Sequence, residues 1–280
     1  MAIHPDDEGA RPIPGRHHSL LKELRQAFAR GELTSAGDCA VEGFRIIEEA
    51  IRSRAKLRAV FVRQGSQARA SRLLPQLGSH VDVFRLPDRT FDSIVPSQAP
   101  QGVAALVAIK TFSSAEVMDS VRGGPLLVIA GVQDPGNLGT ILRSAEAFGA
   151  KGVCLGEGTV SAYNSKVIRA SAGAVFRIPL ARVELPSLIE ELRARGIRLV
   201  ATSAHKGVSV DSVQRGGKAA IFIGNEGTGI PKKLLREMDE LIVIPHSPTV
   251  ESLNAGVAAA IVLYEFSKQS FGSAVGDEAG

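Results

Sequence analysis

Three short polar segments in the second half of this 280-residue chain carry the residue types that chemistry on a bound ligand requires. They are residues 137–143 (NLGTILR), 223–229 (IGNEGTG) and 250–256 (VESLNAG). Glycines let the backbone pass close to a ligand, amide and hydroxyl groups orient it, and arginine supplies a permanent positive charge. The six histidines and two cysteines show no triad or zinc-ligand spacing. The segments therefore predict one composite pocket that uses no metal.

Each polar segment lies beside an apolar run that has the length of a buried strand. The runs are PLLVIA (125–130), AAIFI (219–223) and LIVI (241–244). Such runs predict buried strands, and open α/β sheets bind ligands in the loops that follow their strands. The alternative is an ordinary strand–helix turn, in which Gly and Asn are the usual residues. No Gly-x-Gly-x-x-Gly follows a strand, so a dinucleotide fold is not indicated.

Alternating apolar patterns predict two α/β domains. Helices are predicted at 20–30 (with Ser19 as N-cap), 44–52, 67–77, 138–148, 165–171, 186–195, 231–236 and 253–267. Strands are predicted at 39–41, 57–63, 81–85, 103–109, 126–131, 152–155, 175–178, 197–202, 219–223 and 241–244. We expect a mobile tail over 1–18, a first domain over 19–110, a polar linker over 111–124, a second domain over 125–268 and a tail over 269–280.

The formal net charge of +4 belongs entirely to the first part of the chain. Residues 1–112 contain 16 Lys+Arg and 12 Asp+Glu, whereas residues 113–280 contain 17 of each. Residues 52–72 contain seven cations and no acid, and Arg52, Arg54, Arg58 and Arg63 are the leading candidates for ligand contact. Arginine bridges phosphates and stacks on bases, so this run indicates a polyanionic partner. The alternative is a solvated helical face.

The remaining composition is typical of a cytoplasmic globular protein. No apolar stretch reaches the roughly 18 residues that a membrane-spanning helix needs. The N-terminal residues contain no apolar core of a secretory signal. Cys39 and Cys154 lie far apart in the sequence and cannot form a disulfide framework. We therefore expect a reducing, cytoplasmic setting and no membrane association.

The order and spacing of the three segments resemble the SpoU (TrmH-like) family of RNA ribose 2′-O-methyltransferases, in the SPOUT superfamily. The matching residues are Asn137, Gly139, Arg143 and 147–149 in the first motif, 224–227 and Gly229 in the second, and 251–254 with 257–261 in the third. The block 166–173 (KVIRASAG) is also similar to the family. The likeness covers roughly residues 20–267 and is strongest in the second half.

The resemblance implies a knotted C-terminal α/β domain of SPOUT type, preceded by a smaller, ribosomal-protein-like α/β domain that binds RNA. It implies S-adenosylmethionine-dependent methylation of a ribose 2′-OH in RNA, with 23S ribosomal RNA favoured as the target. Three alternatives stay open: a transfer RNA 2′-O-methyltransferase, a catalytically silent RNA-binding protein, and a nucleotide-dependent metabolic enzyme.

Family position also implies roles for five candidate catalytic residues: Arg143, Asn137, Glu226, Ser252 and Asn254. Arg143 either deprotonates the 2′-OH or binds the adjacent phosphate and stabilises the developing alkoxide. A guanidinium is effectively always protonated, which favours the second role. We expect Glu226 to orient Arg143 through a hydrogen bond, Asn137 to fix local geometry or contact RNA, and Ser252 to hold the ribose or the motif loops. Asn254 is expected to do the same or to act as the N-cap of the last helix.

Eight residues are the expected cofactor contacts: Thr202, Ser203, Ile223, Gly224, Asn225, Gly227, Ile244 and Leu253. Gly227 can equally belong to a tight turn before the next helix. The sequence departs from the family at 246–248 (HSP) and at Gly256, where a serine is more usual, so these positions put the geometry of the cofactor loop in question.

The predicted last helix is apolar on most sides. Residues 255–263 are almost all Ala, Val, Ile or Leu, and such a helix must be covered on most of its surface. A two-fold partner is the commonest cover, and family members are similarly dimeric. We therefore expect a homodimer, with Ala259 and Val262 as sites where glutamate would dissociate the dimer or unfold the domain.

Overall fold

The computed structural model describes residues 10–13, 15, 18–121, 123–214 and 217–271. The outer parts of both predicted tails, residues 1–9 and 272–280, lie outside this range. The chain forms two compact units. The first unit comprises Met1–Lys110 and Ser161–Phe176, and the second comprises Thr111–Val160 and Arg177–Gly280.

The first unit contains a five-stranded mixed sheet in the order β1-β4-β3-β5-β2. Its strands are β1 (Arg11–Pro12), β2 (Asp38–Glu42), β3 (Leu57–Arg63), β4 (Asp82–Leu86) and β5 (Val103–Ala108). Its helices are α1 (Ser19–Arg30), α2 (Phe44–Arg52), α3 (Gln67–Ala70), α4 (Asp88–Asp92) and, from the later segment, α7 (Ser165–Ala170). The central strands β3 and β5 pair antiparallel and are almost wholly buried.

The second unit contains a seven-stranded parallel sheet in the order β10-β12-β9-β11-β6-β7-β8. Its strands are β6 (Leu126–Ala130), β7 (Gly152–Leu155), β8 (Leu180–Arg182), β9 (Arg198–Thr202), β10 (Val208–Ser209), β11 (Ala219–Gly224) and β12 (Glu240–Val243). Its helices are α5 (Ser114–Asp119), α6 (Pro135–Ala147), α8 (Leu185–Ala194), α9 (Lys232–Leu235) and α10 (Ala255–Phe271). Because β9, β11 and β12 are parallel neighbours, their carboxyl ends and following loops meet at one edge of the sheet.

Several local predictions were wrong for identifiable reasons. The helix predicted at 67–77 ends at Ala70 and is followed by a 3₁₀ turn at Leu74–Gln76, because Pro75 cannot donate a helical hydrogen bond. The strand predicted at 175–178 is a 3₁₀ turn, and the strand begins instead at Leu180. Short apolar runs do not distinguish these conformations.

The ends of the predicted elements also differ in detail. His18 rather than Ser19 precedes α1, without a side-chain cap. The predicted linker contains α5, which begins with a capping box formed by Ser113 and Glu116. Within the predicted N-terminal tail, Arg11–Pro12 form β1 and pair with β4.

The segment 161–176 is the largest difference from the sequence-based domain boundaries, which assigned it to the second domain. In the structure its contacts place it in the first unit. Arg169 on α7 donates to Ser97 Oγ at 2.7 Å and lies 3.6 Å from the carboxylate of Glu42. Glu42 is only 3% exposed, so a buried charge in β2 is paired with a residue distant in sequence.

Candidate active site

The loops at the carboxyl ends of β9, β11 and β12 enclose a pocket of about 350 Å³ in the second unit. All eight predicted cofactor residues line it, as do Glu226 and Ser252. Eleven further lining residues were not among the expected catalytic or cofactor contacts: Ala204, His205, Thr228, Gly229, Ile230, Leu235, Ile242, His246, Glu251, Ala255 and Ala258. Most of these residues lie within a few positions of a predicted contact. The sequence therefore predicts which loops form the pocket better than it predicts each lining residue.

A larger cavity of about 920 Å³ lies in the first unit, along β1 and β4. It contains none of the residues of the three motif segments. Ligand sites combine apolar walls with a few convergent polar groups, and the smaller pocket has both. We therefore take the pocket of the second unit as the candidate active site.

The second motif folds into a tight turn fixed by Asn225. Its Oδ1 accepts the N–H groups of Gly227 and Thr228 at 2.9 and 3.0 Å, and its Nδ2 donates to the carbonyl of Gly131 at 2.7 Å. A Cβ at Gly224 would lie 2.5 Å from the backbone of Gly229, so only glycine fits there. The motif is therefore a tight turn that also forms part of the pocket wall, and the Asn225 side chain shapes the loop.

Glu226 does not bind Arg143, contrary to expectation. Its carboxylate accepts the backbone N–H groups of Gln133 and Asp134 at 3.3 and 3.2 Å and the Asn137 side-chain amide at 3.0 Å. Arg143 stands six residues beyond Asn137 on α6, about 9 Å along the helix axis, and the carboxylate is occupied at the beginning of that helix. Partial burial alone would raise the pKa of Glu226, but these hydrogen bonds outweigh it and the pKa is lowered.

Asn137 and Asn254 connect the first and third motifs. The Asn254 amide donates to Asn137 Oδ1 at 2.8 Å. Asn254 Oδ1 accepts the N–H groups of Gly256 and Val257 at 2.9 and 3.2 Å, which makes Asn254 the N-cap of α10. A continuous chain of hydrogen bonds thus runs from Glu226 through Asn137 and Asn254 to the beginning of α10. The three motifs, far apart in sequence, form one polar network.

Arg143 is exposed on α6, and in the described part of the chain its side chain makes no ion pair or hydrogen bond. Glu146, an acid three residues further along the same helix, binds Arg177 instead, whose Nη2 lies 2.8 Å from Oε2. The guanidinium of Arg143 is therefore available to an anionic ligand. Ser252 is also exposed and lines the pocket.

The two departures from the family pattern have local explanations. His246 lines the pocket, and its Nδ1 lies 2.7 Å from the carbonyl oxygen of Ile244. Because a carbonyl only accepts, Nδ1 carries the hydrogen. At Gly256, a Cβ would lie 3.1 Å from the Thr140 side chain, so glycine lets α10 pack closely on α6.

The four arginines predicted to bind RNA lie in the first unit, and three of them are held by carboxylates. Arg52 binds Glu49 at 2.7 Å and Arg63 binds Asp92 at 2.8 Å. Arg58 binds both Glu23 and Asp38, with an Nη2–Oδ2 distance of 2.7 Å to the latter. Arg54 is exposed and, alone of these four, has no side-chain partner among the described residues. The acid-free run in the sequence therefore receives its acids from outside the run: from the same helix for Arg52 and from other elements of the fold for Arg58 and Arg63.

Metal and membrane sites are not found in the described part of the chain. Among those residues, no group of three or more His, Cys, Asp or Glu side chains could hold a metal ion. No helix in the described ranges is both long and apolar enough to cross a membrane.

Two family models match the chain. Residues 124–264 match the SpoU rRNA methylase family, and residues 40–113 match the RNA 2′-O ribose methyltransferase substrate-binding domain. The chain is 31% identical over 254 residues to the 23S rRNA (guanosine(2553)-2′-O)-methyltransferase RlmP of Bacillus subtilis. That similarity covers 91% of this chain and 98% of the relative.

Solved structures show the same similarity. An AdoMet-bound rRNA methyltransferase from Sinorhizobium meliloti superposes with a TM-score of 0.76 at 25% identity, covering 93% of this chain and 98% of that one. The SpoU methyltransferase AviRb from Streptomyces viridochromogenes, in complex with AdoMet, gives a TM-score of 0.76 at 25% identity, with coverages of 91% and 98%. The chain therefore belongs to the SpoU rRNA methylase family and is an S-adenosylmethionine-dependent RNA 2′-O-methyltransferase.

Proposed function

We propose that this methyltransferase modifies a ribose 2′-OH of 23S ribosomal RNA. The observation that carries the proposal is the polar network of Glu226, Asn137 and Asn254, which joins all three motifs beside the pocket. The target is supported by the Bacillus subtilis relative, which is a 23S rRNA enzyme. S-adenosylmethionine supplies an electrophilic methyl group, so the protein must bind the cofactor, align the hydroxyl and accommodate the released proton.

The pocket suits this cofactor. Ile223, Ile244 and Leu253 provide apolar walls for an adenine ring, and Thr202 and Ser203 provide hydroxyl groups. The backbone of the turn at 224–229 provides N–H and C=O groups. A volume of about 350 Å³ lies within the usual range for small-molecule sites. We assign cofactor binding to the eight predicted residues, with Asn225 acting through the shape of its turn.

Arg143 is assigned to the RNA side of the reaction. A guanidinium stays protonated at neutral pH, so Arg143 binds a phosphate next to the target ribose and stabilises negative charge on the 2′-oxygen. The phosphate is then the acceptor of the hydroxyl proton. Asn137 and Glu226 position the beginning of α6, and Asn254 positions α10. Ser252, which lines the pocket, is assigned to the ribose.

The target is tested by offering the purified protein two pools of unmodified RNA with labelled S-adenosylmethionine. We expect stable incorporation into 23S ribosomal RNA at one nucleotide and none into transfer RNA. Incorporation into transfer RNA alone would overturn the target. No incorporation into either pool, with cofactor binding shown by calorimetry, would favour the silent RNA-binding alternative.

We also propose a homodimer through α10, with the exposed face of this helix as the interface. Ala259 and Val262 are fully buried within their own unit, so glutamate there would unfold it whether or not a dimer exists. The exposed apolar residues Val257 and Tyr264 are 48% and 50% accessible and lie two turns apart on one stripe. Light scattering should give twice the chain mass of 29.5 kDa. Val257→Glu should reduce it to the monomer mass, and an unchanged dimer would place the interface elsewhere.

Family membership supports two further proposals. A knot in the second unit would be seen by tracing the chain in an experimental structure. A cytoplasmic location would be tested by fractionation of cells, and recovery with the membrane fraction would contradict it.

A further inference from the structure

Four exposed cations stand next to lining residues of the second unit's pocket, one on the loop after β9 and three on α9 and its end. Lys206 follows β9, directly after the lining residues Ser203, Ala204 and His205. Lys232, Lys233 and Arg236 belong to α9 and its end, between and beside the lining residues Ile230 and Leu235. We refer to Lys206, Lys232, Lys233 and Arg236 as the pocket rim.

Within the described residues, the neighbouring acids form no ion pair with the pocket rim. Glu237 binds Arg193 at 2.8 Å, Glu240 binds Arg198 at 3.0 Å, and Asp239 accepts the backbone N–H of Leu199 at 2.8 Å. Within the described ranges, none of the four rim side chains has an ion pair or hydrogen bond of its own.

Two carboxylates line the pocket itself. Glu226 is occupied by the donors at the beginning of α6, and Glu251 is exposed. The donors to Glu226 are neutral and leave its charge in place, so two lining carboxylates stand against four cations and the rim keeps a net positive charge. This charge lies at the site where the proposed reaction occurs.

We propose that the pocket rim binds the sugar–phosphate backbone of the RNA substrate, which gives the second unit an RNA-binding surface of its own. The inference rests on the proposed function. S-adenosylmethionine carries a single carboxylate, and four cations exceed what one carboxylate needs. RNA carries one negative charge per nucleotide, and flexible ammonium groups bind phosphate as point charges. Contacts of this kind fix the register of the nucleic acid and make affinity salt-dependent.

The test compares two double variants of the full-length chain that remove the same charge. Lys232→Gln with Lys233→Gln alters the rim. The matched control is Lys151→Gln with Lys218→Gln, which precede β7 and β11 and therefore lie at the opposite edge of the sheet. Affinity for a 23S ribosomal RNA fragment and for transfer RNA is measured over a series of KCl concentrations, and affinity for S-adenosylmethionine by calorimetry.

We expect the rim variant to reduce the slope of log K against log salt by about 0.7–0.9 for each phosphate that the protein no longer binds, with unchanged cofactor affinity. The control should keep the wild-type slope. An equal reduction in both variants would show a general charge effect, and an unchanged slope would show a merely solvated rim; either overturns the inference. A loss of cofactor affinity at constant slope would assign the rim to the cofactor and also overturn it. If the wild-type protein methylates transfer RNA instead of 23S ribosomal RNA, the proposed target is wrong. The salt slopes of the rim and control variants then still show whether the rim binds RNA.

Discussion

The two units use their charged residues in opposite ways. In the first unit, which has 18 Lys+Arg and 12 Asp+Glu, Arg52, Arg58 and Arg63 are each bound to carboxylates. In the second unit, which has 15 Lys+Arg and 17 Asp+Glu, Arg143 and the pocket rim have no side-chain partner within the described residues. A positive run in a sequence therefore indicates a binding surface only where the fold leaves its charge uncompensated.

Two carboxylates show the same contrast. Asp38 in the first unit is 2% exposed, and its burial raises its pKa although Arg58 and Thr34 bind it. Glu226 in the second unit is more exposed, and hydrogen bonds from Asn137, Gln133 and Asp134 lower its pKa despite the effect of burial. Burial therefore decides the direction of the pKa shift of Asp38, whereas the hydrogen bonds together decide that of Glu226. The buried Asp38–Arg58 pair belongs to the core of the first unit, where burying a charge opposes folding. The hydrogen bonds of Glu226 hold the loops next to the pocket of the second unit.

Removing Arg143 should give the largest effect. Arg143→Ala should lower turnover about 100-fold or more, the usual consequence of losing one donor that stabilises transition-state charge. S-adenosylmethionine affinity should change little. Arg143→Lys should retain part of the activity, because lysine still binds phosphate. Single-turnover rates with saturating RNA measure both variants. Near-normal turnover of Arg143→Ala would remove this residue from the mechanism and weaken the contrast between the units.

Arg58 and Arg54 provide a direct comparison within the first unit. Arg58→Gln should destabilise the protein by about 1–3 kcal/mol, since it leaves the buried Asp38 without its charged partner. Arg54→Gln should change stability by less than about 0.5 kcal/mol, as exposed substitutions usually do. Denaturant unfolding measures both.

The same pair should behave differently toward RNA. Arg54→Gln should reduce the salt slope of RNA binding by about 0.7–0.9, equivalent to one bound phosphate, while Arg58→Gln should not. If Arg58→Gln lowered the slope at full stability, Arg58 would be an RNA contact and its ion pair would be incidental. The sequence-based expectation that all four arginines bind RNA would then be favoured.

Arg169 tests the assignment of segment 161–176 to the first unit. Arg169→Gln should destabilise the protein by about 1 kcal/mol, because Glu42 loses an ion pair but keeps the donors Ser97 and Gln101. Lys166→Gln, on the same helix and exposed, is the matched control and should have no effect. Equal melting temperatures for the two variants would contradict the role of Arg169.

The pH dependence of stability should separate Asp38 from Glu226, with a small effect. The raised pKa of Asp38 means that its ionisation disfavours folding, so its penalty grows as pH rises above the unfolded value of about 3.9. The lowered pKa of Glu226 means that its contribution is present above the unfolded value of about 4.3 and is lost as pH falls through the lower folded value.

On acidification, the wild type should therefore gain melting temperature relative to Asp38→Asn and lose it relative to Glu226→Gln. Thermal melts of the three proteins between neutral pH and the acid limit of solubility measure these differences. Shifts in the same direction for both variants would show that one of the two assignments has the wrong sign.

The sequence was sufficient to predict the framework of the second unit. The apolar runs at 126–131, 219–223 and 241–244 match β6, β11 and β12 to within one residue at each end, since buried parallel strands have a strong local signal. Their order also predicted a common pocket, and the eight residues expected to contact the cofactor line that pocket.

The charge partners could not be predicted in the same way. Arg58 finds Glu23 and Asp38, which lie 35 and 20 positions earlier, and Glu226 finds the beginning of α6 rather than Arg143. Such pairs depend on which elements become neighbours in three dimensions, and no local periodicity encodes that.

Alkaline hydrolysis of RNA labelled by the enzyme tests the central claim most directly. A 2′-O-methyl group removes the nucleophile that cleaves the neighbouring phosphodiester, so a methylated ribose leaves an alkali-resistant dinucleotide. The account predicts that the wild type places all label from S-adenosylmethionine in one such dinucleotide of 23S ribosomal RNA, and that Arg143→Ala yields almost none. Label recovered only in mononucleotides would show methylation of a base and would contradict the assignment of the ribose 2′-OH as the acceptor.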